Sequence, residues 1–220
     1  MRTEIISCKT IHLELQRAMR ETGCCYPVHE LDSGLHNVPR RLTDALQAQL
    51  DALQCDRVLL GFGFCGNAMV GLTPHCELIL PKVDDCISLL MGYRRRHEVT
   101  QKMPSYFMSK GWLDGERNIW TEHEYAFQKY GPRIGQEIFD LMFANYRQLC
   151  VLDTGCCELS SLLPETQRIA DALKLKHTVL AANVQYLRDL LTGPWEETRF
   201  LRVPAGTPIR LEQLVPTSAD

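Results

Sequence analysis

Short apolar segments alternate with segments of helical periodicity along this chain. After Pro39, for example, Leu42, Leu46 and Leu50 recur on one face of a predicted helix, and the apolar run 57–62 follows it. Such alternation is typical of α/β proteins, in which helices cover both faces of a largely parallel sheet. We therefore predict an α/β fold with one or two largely parallel, Rossmann-like sheets. The predicted strands are residues 4–8, 26–31, 57–62, 77–83, 105–108, 148–152, 177–181 and 199–203.

The helical spacing of apolar residues and the positions of helix-breaking glycine and proline residues also predict where the helices begin and end. A helix that begins at Asp84 or Asp85 is expected to run past Arg96, and residues 111–118 are expected to form a loop. The other predicted helices are 11–20, 39–53, 121–146 with a break or kink at Gly131 and Pro132, a helix from just after Pro164 to about residue 174, and 184–191.

The length of the chain allows one large domain or two small ones. It has 220 residues, of which 45% are hydrophobic, so a sizeable core can form. The loop region 111–121 is the best place for a division. We expect an N-terminal α/β subdomain, 1–110, and a C-terminal α/β subdomain, 111–220, with a single domain as the alternative.

Charge and hydropathy exclude several classes of partner. The net charge is −3 with a pI of about 6.2, and the tight basic run 94–96 is no footprint for nucleic acid. No apolar stretch approaches the 18 or so residues that a membrane span requires. The early charges of the N-terminal segment also do not resemble an export signal. We expect a cytoplasmic protein whose ten cysteines stay reduced.

Three cysteines stand where predicted strands stop. Cys8 follows the run 4–7, Cys65 follows 57–64, and Cys86 follows 77–85. In a sheet of like-directed strands all three sulfur atoms would gather at one edge, where α/β proteins place their sites. Thiolates are good ligands for soft metals. The sequence therefore predicts a metal site of Cys8, Cys65 and Cys86.

Cysteine spacing alone supports a metal site only weakly. The chain has no C-x-x-C pair, and the adjacent pairs 24–25 and 156–157 point to opposite sides of an extended chain. Free cysteine also packs as a small hydrophobic residue. An α/β domain whose cysteines belong only to the core therefore remains an alternative.

The segment with Gly61, Gly63 and Gly66 matches the dinucleotide pattern G-x-G-x-x-G after a strand. That fold needs a helix within a crossover of a dozen or more residues, and Pro74 and the strand at 77 leave hardly two turns. We therefore do not favour nucleotide binding. The glycines either permit a tight turn or let the backbone approach a ligand held by Cys65.

His36 and Asp85 are the candidates for acid–base chemistry. His36 lies in a loop before a predicted helix and could be the fourth ligand, or an acid or base, because the pKa of imidazole lies near neutrality. A surface or capping role is the alternative. Asp85 directly precedes Cys86. No phosphate loop, G-x-S-x-G or H-E-x-x-H motif is present.

Several segments together resemble domain-of-unknown-function family 1638. They are LGFGFCGNAMVGL, LILPKVDDCISLLMGYRRR, SYFMSKGW, NYRQLCVLDTG and LLTGPWEETRFLRVPAG, and they extend over nearly the whole chain. The chain departs from the family pattern at Tyr93, where serine is expected, and at Phe62, where tyrosine is usual. The resemblance carries over to Cys8, His36, Cys65 with Gly66 and Asn67, Asp85 with Cys86, and Gly111 with Trp112.

The resemblance implies an anaerobic setting and a gene neighbourhood shared with corrinoid-dependent methyltransferases. Together with the cysteine-only trio, that setting slightly favours a [4Fe–4S] cluster over zinc. Either centre would keep an open position for a small-molecule ligand. Whether such a protein is an enzyme stays open. The pocket would also contain Gly61, Gly63, Gly66, Asn67, Lys82, Trp112, Asp153, Thr154 and Gly155.

A non-catalytic role is the second hypothesis. The protein would carry a corrinoid, a methyl donor or a metal for a methyltransferase partner. The Asp-x-His-x-x-Gly signature of corrinoid-binding proteins is absent. The aromatic stretch 112–120 would suit a lid or a subunit contact equally, so the oligomeric state stays open.

Overall fold

A computed structural model describes residues 1–216 of the chain. Its strands are β1 Thr3–Cys8, β2 Val28–Leu31, β3 Arg57–Gly61, β4 Glu77–Pro81, β5 Ser105–Met108, β6 Gln148–Asp153, β7 Lys176–Ala181 and β8 Phe200–Val203. Its helices are α1 His12–Thr22, α2 Pro39–Ala52, α3 Cys86–Met91, α4 Tyr93–Lys102, α5 Lys110–Leu113, α6 Ile119–Phe143, α7 Leu159–Ala172 and α8 Gln185–Thr192. Three short 3-10 turns are Lys9–Ile11, Ser33–Asn37 and Leu211–Gln213.

The strands form two separate sheets flanked by helices. The first sheet has the order β2-β1-β3-β4-β8, in which only β8 runs antiparallel to its neighbour. The second sheet has the order β5-β6-β7 and is entirely parallel. The prediction of an α/β fold with largely parallel sheets is therefore confirmed.

Burial on both faces explains why the central strands are apolar without alternation. Every residue of β1 is buried, as are the last four residues of β3 and of β4. Parallel strands covered by helices on both sides have this pattern. A smaller core forms around the second sheet, where Leu149, Val151 and Ile169 are fully buried.

The strand pairing does not follow the predicted boundary between 1–110 and 111–220. Strand β5 lies before the boundary but belongs to the second sheet, and β8 lies after it but pairs with β4 of the first sheet. The chain therefore leaves the first sheet, builds the second and returns. The division into two subdomains stays a prediction.

Three predicted helix boundaries are wrong. The helix expected from Asp84 or Asp85 past Arg96 is two helices, because Gly92 adopts φ 82° and ψ 145° and separates α3 from α4. The expected loop 111–118 begins with α5, which Ser109 caps by accepting a hydrogen bond from the Trp112 amide. Helix α7 begins at Leu159 rather than after Pro164, which lies within its second turn.

A tight turn without a helix follows β3. The amide of Phe64 donates to the Val83 carbonyl at 2.8 Å, and the amide of Cys65 donates to the Asp84 carbonyl at 2.8 Å. Cys65, Gly66 and Asn67 then have φ of 46°, 69° and 69°. Positive φ is unfavourable for cysteine, although asparagine tolerates it, so the surrounding contacts hold Cys65 in this turn. Of the glycines of the dinucleotide pattern, Gly66 serves this turn, whereas Gly61 and Gly63 permit close packing.

None of the helices within residues 1–216 is long and apolar enough to cross a membrane.

We predict that Gly63→Ala destabilises the protein. A β-carbon at Gly63 would lie 2.6 Å from the backbone of Asp85. Only a shift of the segments that contain Gly63 and Asp85 would relieve this steric clash. Overpacking of this kind typically lowers the free energy of unfolding by about 1–3 kcal/mol. Urea unfolding measures the change.

Gly206→Ala is the matched control. Gly206 has φ 71°, but a β-carbon there would meet no atom within 4 Å. Gly206→Ala should lower the free energy of unfolding only by the cost of placing alanine at positive φ, about 1 kcal/mol. A Gly63→Ala protein that is as stable as wild type would contradict the close approach.

Candidate metal centre

Cys8, His36 and Cys86 meet at the C-terminal edge of the first sheet. Cys8 ends β1, His36 lies in the 3-10 turn Ser33–Asn37, and Cys86 begins α3. Their sulfur and ring nitrogen atoms all lie within 4.8 Å of one another. The Cys8 Sγ atom is 4.0 Å from His36 Nε2. The three side chains are therefore close enough to hold one metal ion.

A backbone carbonyl group orients the imidazole ring of His36. Its Nδ1 atom lies 3.0 Å from the Ser33 carbonyl, so this nitrogen donates and Nε2 keeps a lone pair toward Cys8. The ring also stacks against Phe62, with 6.1 Å between the centroids. Metal-ligating histidines are commonly fixed by such a carbonyl on the other nitrogen.

The position of Cys86 depends on the preceding aspartates. Asp85 caps α3 by accepting a hydrogen bond from the Ser88 amide at 2.9 Å, and its other oxygen lies 2.8 Å from Arg96. Asp84 accepts hydrogen bonds from the Ser88 hydroxyl and from His97. Both carboxylates are therefore held by protein donors, and the thiol that follows them is fixed at the start of the helix.

Cys65 stands beside this trio. It was predicted as a ligand with Cys8 and Cys86, and it lines the same cavity as Cys86. The group whose donor atoms all lie within 4.8 Å of one another nevertheless contains His36 instead of Cys65. The structure thus brings four predicted residues together at one point, three of them within the spacing of a single ion.

The contacts among the thiols make them hard to ionise. The hydrogen bond to Cys86 and burial hold the pKa of Cys8 well above its ordinary value. The hydrogen bond to Cys65, together with burial, likewise holds the pKa of Cys86 well above that of a free thiol. Burial lowers the pKa of His36, but the hydrogen bond to Cys8 and nearby carbonyl and carboxylate groups outweigh it and raise that pKa. Several thiolates can coexist here only if a cation compensates their charge.

A cavity of about 180 Å³ opens onto the centre. Its lining includes four of the predicted site residues, which are His36, Cys65, Asp85 and Cys86. The cavity is otherwise mostly apolar, with a few polar groups, as is usual for small-molecule sites. The remaining lining residues are Thr10, Ile11, Ile87, Leu90, Tyr106, Phe107, Ser109 and Trp112.

The far wall of the cavity comes from the second sheet. Trp112 donates a hydrogen bond from its indole nitrogen to the Tyr106 hydroxyl at 3.1 Å. Gly111 lets α5 approach the turn after β1, because a β-carbon there would lie 2.2 Å from the Thr10 carbonyl oxygen. The predicted Trp112 therefore reaches the cavity through a packing contact between the two sheets.

The sequence did not identify the other residues of that wall. Thr10, Tyr106 and Phe107 have no motif of their own. Ser109 had a usable signal, because it directly follows a predicted strand and the ends of parallel strands share an edge.

Other predicted site residues lie outside the cavity lining. The Lys82 ammonium donates to the Glu197 carbonyl at 2.8 Å, and Asn67 is exposed on the left-handed turn next to Gly66. Gly61 and Gly63 serve close packing: a β-carbon at Gly61 would lie 2.8 Å from Ser7 Oγ. Their role in ligand binding stays a prediction.

Asp153 ends β6, and Thr154 and Gly155, which follow it, lie against α1 instead. Asp153 accepts a hydrogen bond from the Gly155 amide at 3.0 Å. The Thr154 hydroxyl donates to Glu14 at 2.8 Å, and the Thr154 carbonyl accepts from Arg17. Through these two hydrogen bonds Thr154 joins the second sheet to helix α1.

Comparison with known protein families gives one match. A family described as a protein of unknown function, DUF1638, matches residues 30–191. The chain belongs to this family. The match includes His36, Cys65, Cys86 and Trp112, whereas Cys8 lies before it. No curated protein and no solved structure matches the chain. Membership of DUF1638 confirms the resemblance, and the expected link to corrinoid methyltransferases stays a prediction.

We predict that Glu14→Gln stabilises the protein increasingly as the pH rises. Glu14 is fully buried, and burial raises the pKa of its carboxyl group even though the Thr154 hydrogen bond opposes this. A raised folded-state pKa contributes stability below the unfolded-state value that is lost as the pH rises through the folded-state value. Glutamine keeps an acceptor for Thr154 without this loss. Urea unfolding between acidic and neutral pH measures the difference.

Glu21→Gln is a control of opposite sign. The guanidinium of Arg17 lowers the pKa of Glu21, so this carboxylate contributes stability above its unfolded-state pKa. The variant should match wild type in acid and become slightly less stable toward neutral pH. Equal pH profiles for the two variants would contradict the assigned burial of the Glu14 charge.

Proposed function

We propose that this DUF1638 protein binds one zinc-type metal ion through Cys8, His36 and Cys86 and uses it to bind a small molecule. The observation that carries the proposal is the spacing of the three donor atoms, all within 4.8 Å of one another. Zn–S bonds of about 2.3 Å and Zn–N bonds of about 2.0–2.1 Å in a tetrahedron separate a sulfur from a neighbouring nitrogen by about 3.5 Å. Cys8 Sγ and His36 Nε2 are 4.0 Å apart, so a small shift brings both atoms into bonding distance of one ion.

The same spacing favours a single ion over the expected [4Fe–4S] cluster. In a cluster each cysteine binds a different iron, so its thiolates stand farther apart than the ligands of one ion. What supports a cluster is the third thiol, because Cys65 adjoins Cys86. Iron and acid-labile sulfide in anaerobically purified protein would favour this second candidate.

The fourth coordination position is proposed to belong to the ligand. Structural zinc sites are closed by four protein ligands, whereas catalytic sites keep one position open. The cavity is bounded by His36, Cys65 and Cys86, so a molecule inside it can reach an ion held by the trio. Cys65 would then contact the ligand instead of completing the coordination.

The cavity also limits the ligand. Ile11, Leu90 and Phe107 favour an apolar body, while Thr10 and Ser109 offer hydroxyl groups for a few hydrogen bonds. Asp85 adds a carboxylate that Arg96 holds in place. A volume of about 180 Å³ is small beside the usual pockets of roughly 300–1,000 Å³. It therefore favours a small ligand over an enclosed corrinoid ring.

We predict that loss of any trio residue abolishes tight metal binding. Cys8→Ser, His36→Ala and Cys86→Ser should each lower the affinity for zinc by more than about 100-fold, because even residues that only support a ligand change it 10- to 100-fold. Elemental analysis and competition with a chelator measure the loss. Circular dichroism shows whether each variant is folded.

Cys24→Ser is the matched control for this experiment. Cys24 is partly buried, and within residues 1–216 it belongs to no group of three donor atoms that lie within 4.8 Å of one another. It should bind zinc like wild type. Full metal retention in folded Cys8→Ser and Cys86→Ser proteins would overturn the proposed centre.

We predict that Cys65→Ser keeps the metal and its two thiolate ligands. In Co²⁺-substituted protein the sulfur-to-cobalt charge-transfer absorbance should equal that of wild type. A small added ligand such as imidazole should shift the visible bands of wild type, because one position is open. A loss of about one third of the charge-transfer absorbance, with no response to imidazole, would instead identify Cys65 as the fourth ligand and contradict an open position.

A further inference from the structure

A second pair of cysteines lies at the opposite edge of the first sheet. Cys55 precedes β3 and Cys76 precedes β4, and their Sγ atoms are 3.7 Å apart. The Glu77 amide donates to the Asp56 carbonyl at 3.1 Å, so the two backbones are already joined beside the thiols. The metal centre lies at the other ends of these strands. The pair is therefore independent of the proposed metal site.

A metal ion is not the expected partner of this pair. Within residues 1–216 the group of three donor atoms that can hold an ion is Cys8, His36 and Cys86, and no third donor joins Cys55 and Cys76 at that spacing. Two thiols alone do not complete a coordination shell. Their proximity instead suits a covalent bond between the two sulfur atoms.

Access to the pair is asymmetric. Cys55 is partly exposed, whereas Cys76 is 5% exposed. An oxidant in solution can therefore reach Cys55 first, and Cys76 is placed behind it at contact distance. In thiol–disulfide exchange this arrangement makes Cys55 the attacking thiol and Cys76 the resolving thiol.

We propose that Cys55 and Cys76 form a reversible disulfide that links the starts of β3 and β4. The oxidant is a small disulfide of the oxidised glutathione class. The Cys55 thiolate attacks one sulfur of this disulfide and releases one glutathione thiolate. Cys76 then loses its proton and attacks the Cys55 sulfur, which releases the second glutathione thiolate. Two electrons pass from the protein thiols to the oxidant, and the two protons leave on the two glutathione molecules.

The surroundings make this exchange slow at neutral pH. Burial, the contact with Cys76 and the nearby Glu4 carboxylate raise the pKa of Cys55 to about 12. Only a small fraction is thiolate at neutral pH, and thiolate is the attacking species. The rate of oxidation should rise roughly tenfold per pH unit over the accessible range.

Tryptic mapping of protein incubated with oxidised glutathione tests the bond. Cleavage after Arg41, Arg57 and Lys82 leaves Cys55 in peptide 42–57 and places both Cys65 and Cys76 in peptide 58–82. The protein is incubated with and without added zinc, alkylated and digested without reductant. The expected product is peptide 42–57 joined to 58–82, with two hydrogens fewer than the separate peptides, in both samples. Dithiothreitol should separate them.

Two single variants show which cysteine of peptide 58–82, Cys65 or Cys76, bonds to Cys55. Cys76→Ser should abolish the linked product, while Cys65→Ser should leave it at the wild-type yield. The oxidised wild type should unfold at a higher urea concentration than the reduced form, because the bond closes the segment 55–76 in the unfolded chain. Cys76→Ala should show no such shift.

Three results would overturn the proposal. The first is that no linked peptide forms at full oxidation. The second is that the linked peptide still forms in folded Cys76→Ser protein. The third is that Cys55 keeps a bound glutathione and the reaction does not go beyond this mixed disulfide. Each would show that the two thiols do not form a bond with each other.

Discussion

Two backbone hydrogen bonds at the end of β3 determine where the site forms. They join the Phe64 amide to Val83 and the Cys65 amide to Asp84, so the segment after β3 is fixed to the segment after β4. Gly63 lies so close to Asp85 that a β-carbon has no space. The start of α3 is thereby held against the sheet, and Cys86 meets Cys8 at the end of β1. Without this junction the three strands would still be parallel, but their cysteines would not share one point.

The part of the site that follows from strand ends could be predicted from the sequence. Apolar runs before Cys8, Cys65 and Cys86 indicate strands, and parallel strands place their C-terminal ends together. The position of His36 could not be predicted in the same way, because it depends on a 3-10 turn capped by Asp32. The wall of Tyr106 and Trp112 depends on packing between two sheets, which no periodicity within one segment records. Thr154 shows the converse: it directly follows β6, but the second sheet places it against α1.

The electrostatics of the centre explain why a cation suits it. The thiols are stable when neutral, because the hydrogen bond from Cys8 to Cys86, the one from Cys86 to Cys65, and burial raise the pKa of Cys8 and of Cys86. The carboxylates nearby do not supply compensation, since Asp84 and Asp85 add negative charge and are occupied by Ser88, His97 and Arg96. A divalent ion changes this balance by replacing the thiol protons. Binding and proton release are then one process, and the folded chain supplies the donors already in place.

The two cysteine clusters of the first sheet differ in what surrounds their sulfur atoms. At the C-terminal edge, Cys8 and Cys86 have a histidine within 4.8 Å and a cavity beside them. At the N-terminal edge, Cys55 and Cys76 are 3.7 Å apart but have no third donor at that spacing among residues 1–216. Each place brings two thiols within 4.8 Å of each other, so thiol spacing alone does not decide between an ion and a disulfide. The number of additional donors decides, and that number depends on which turns the helices place over each end of the strands.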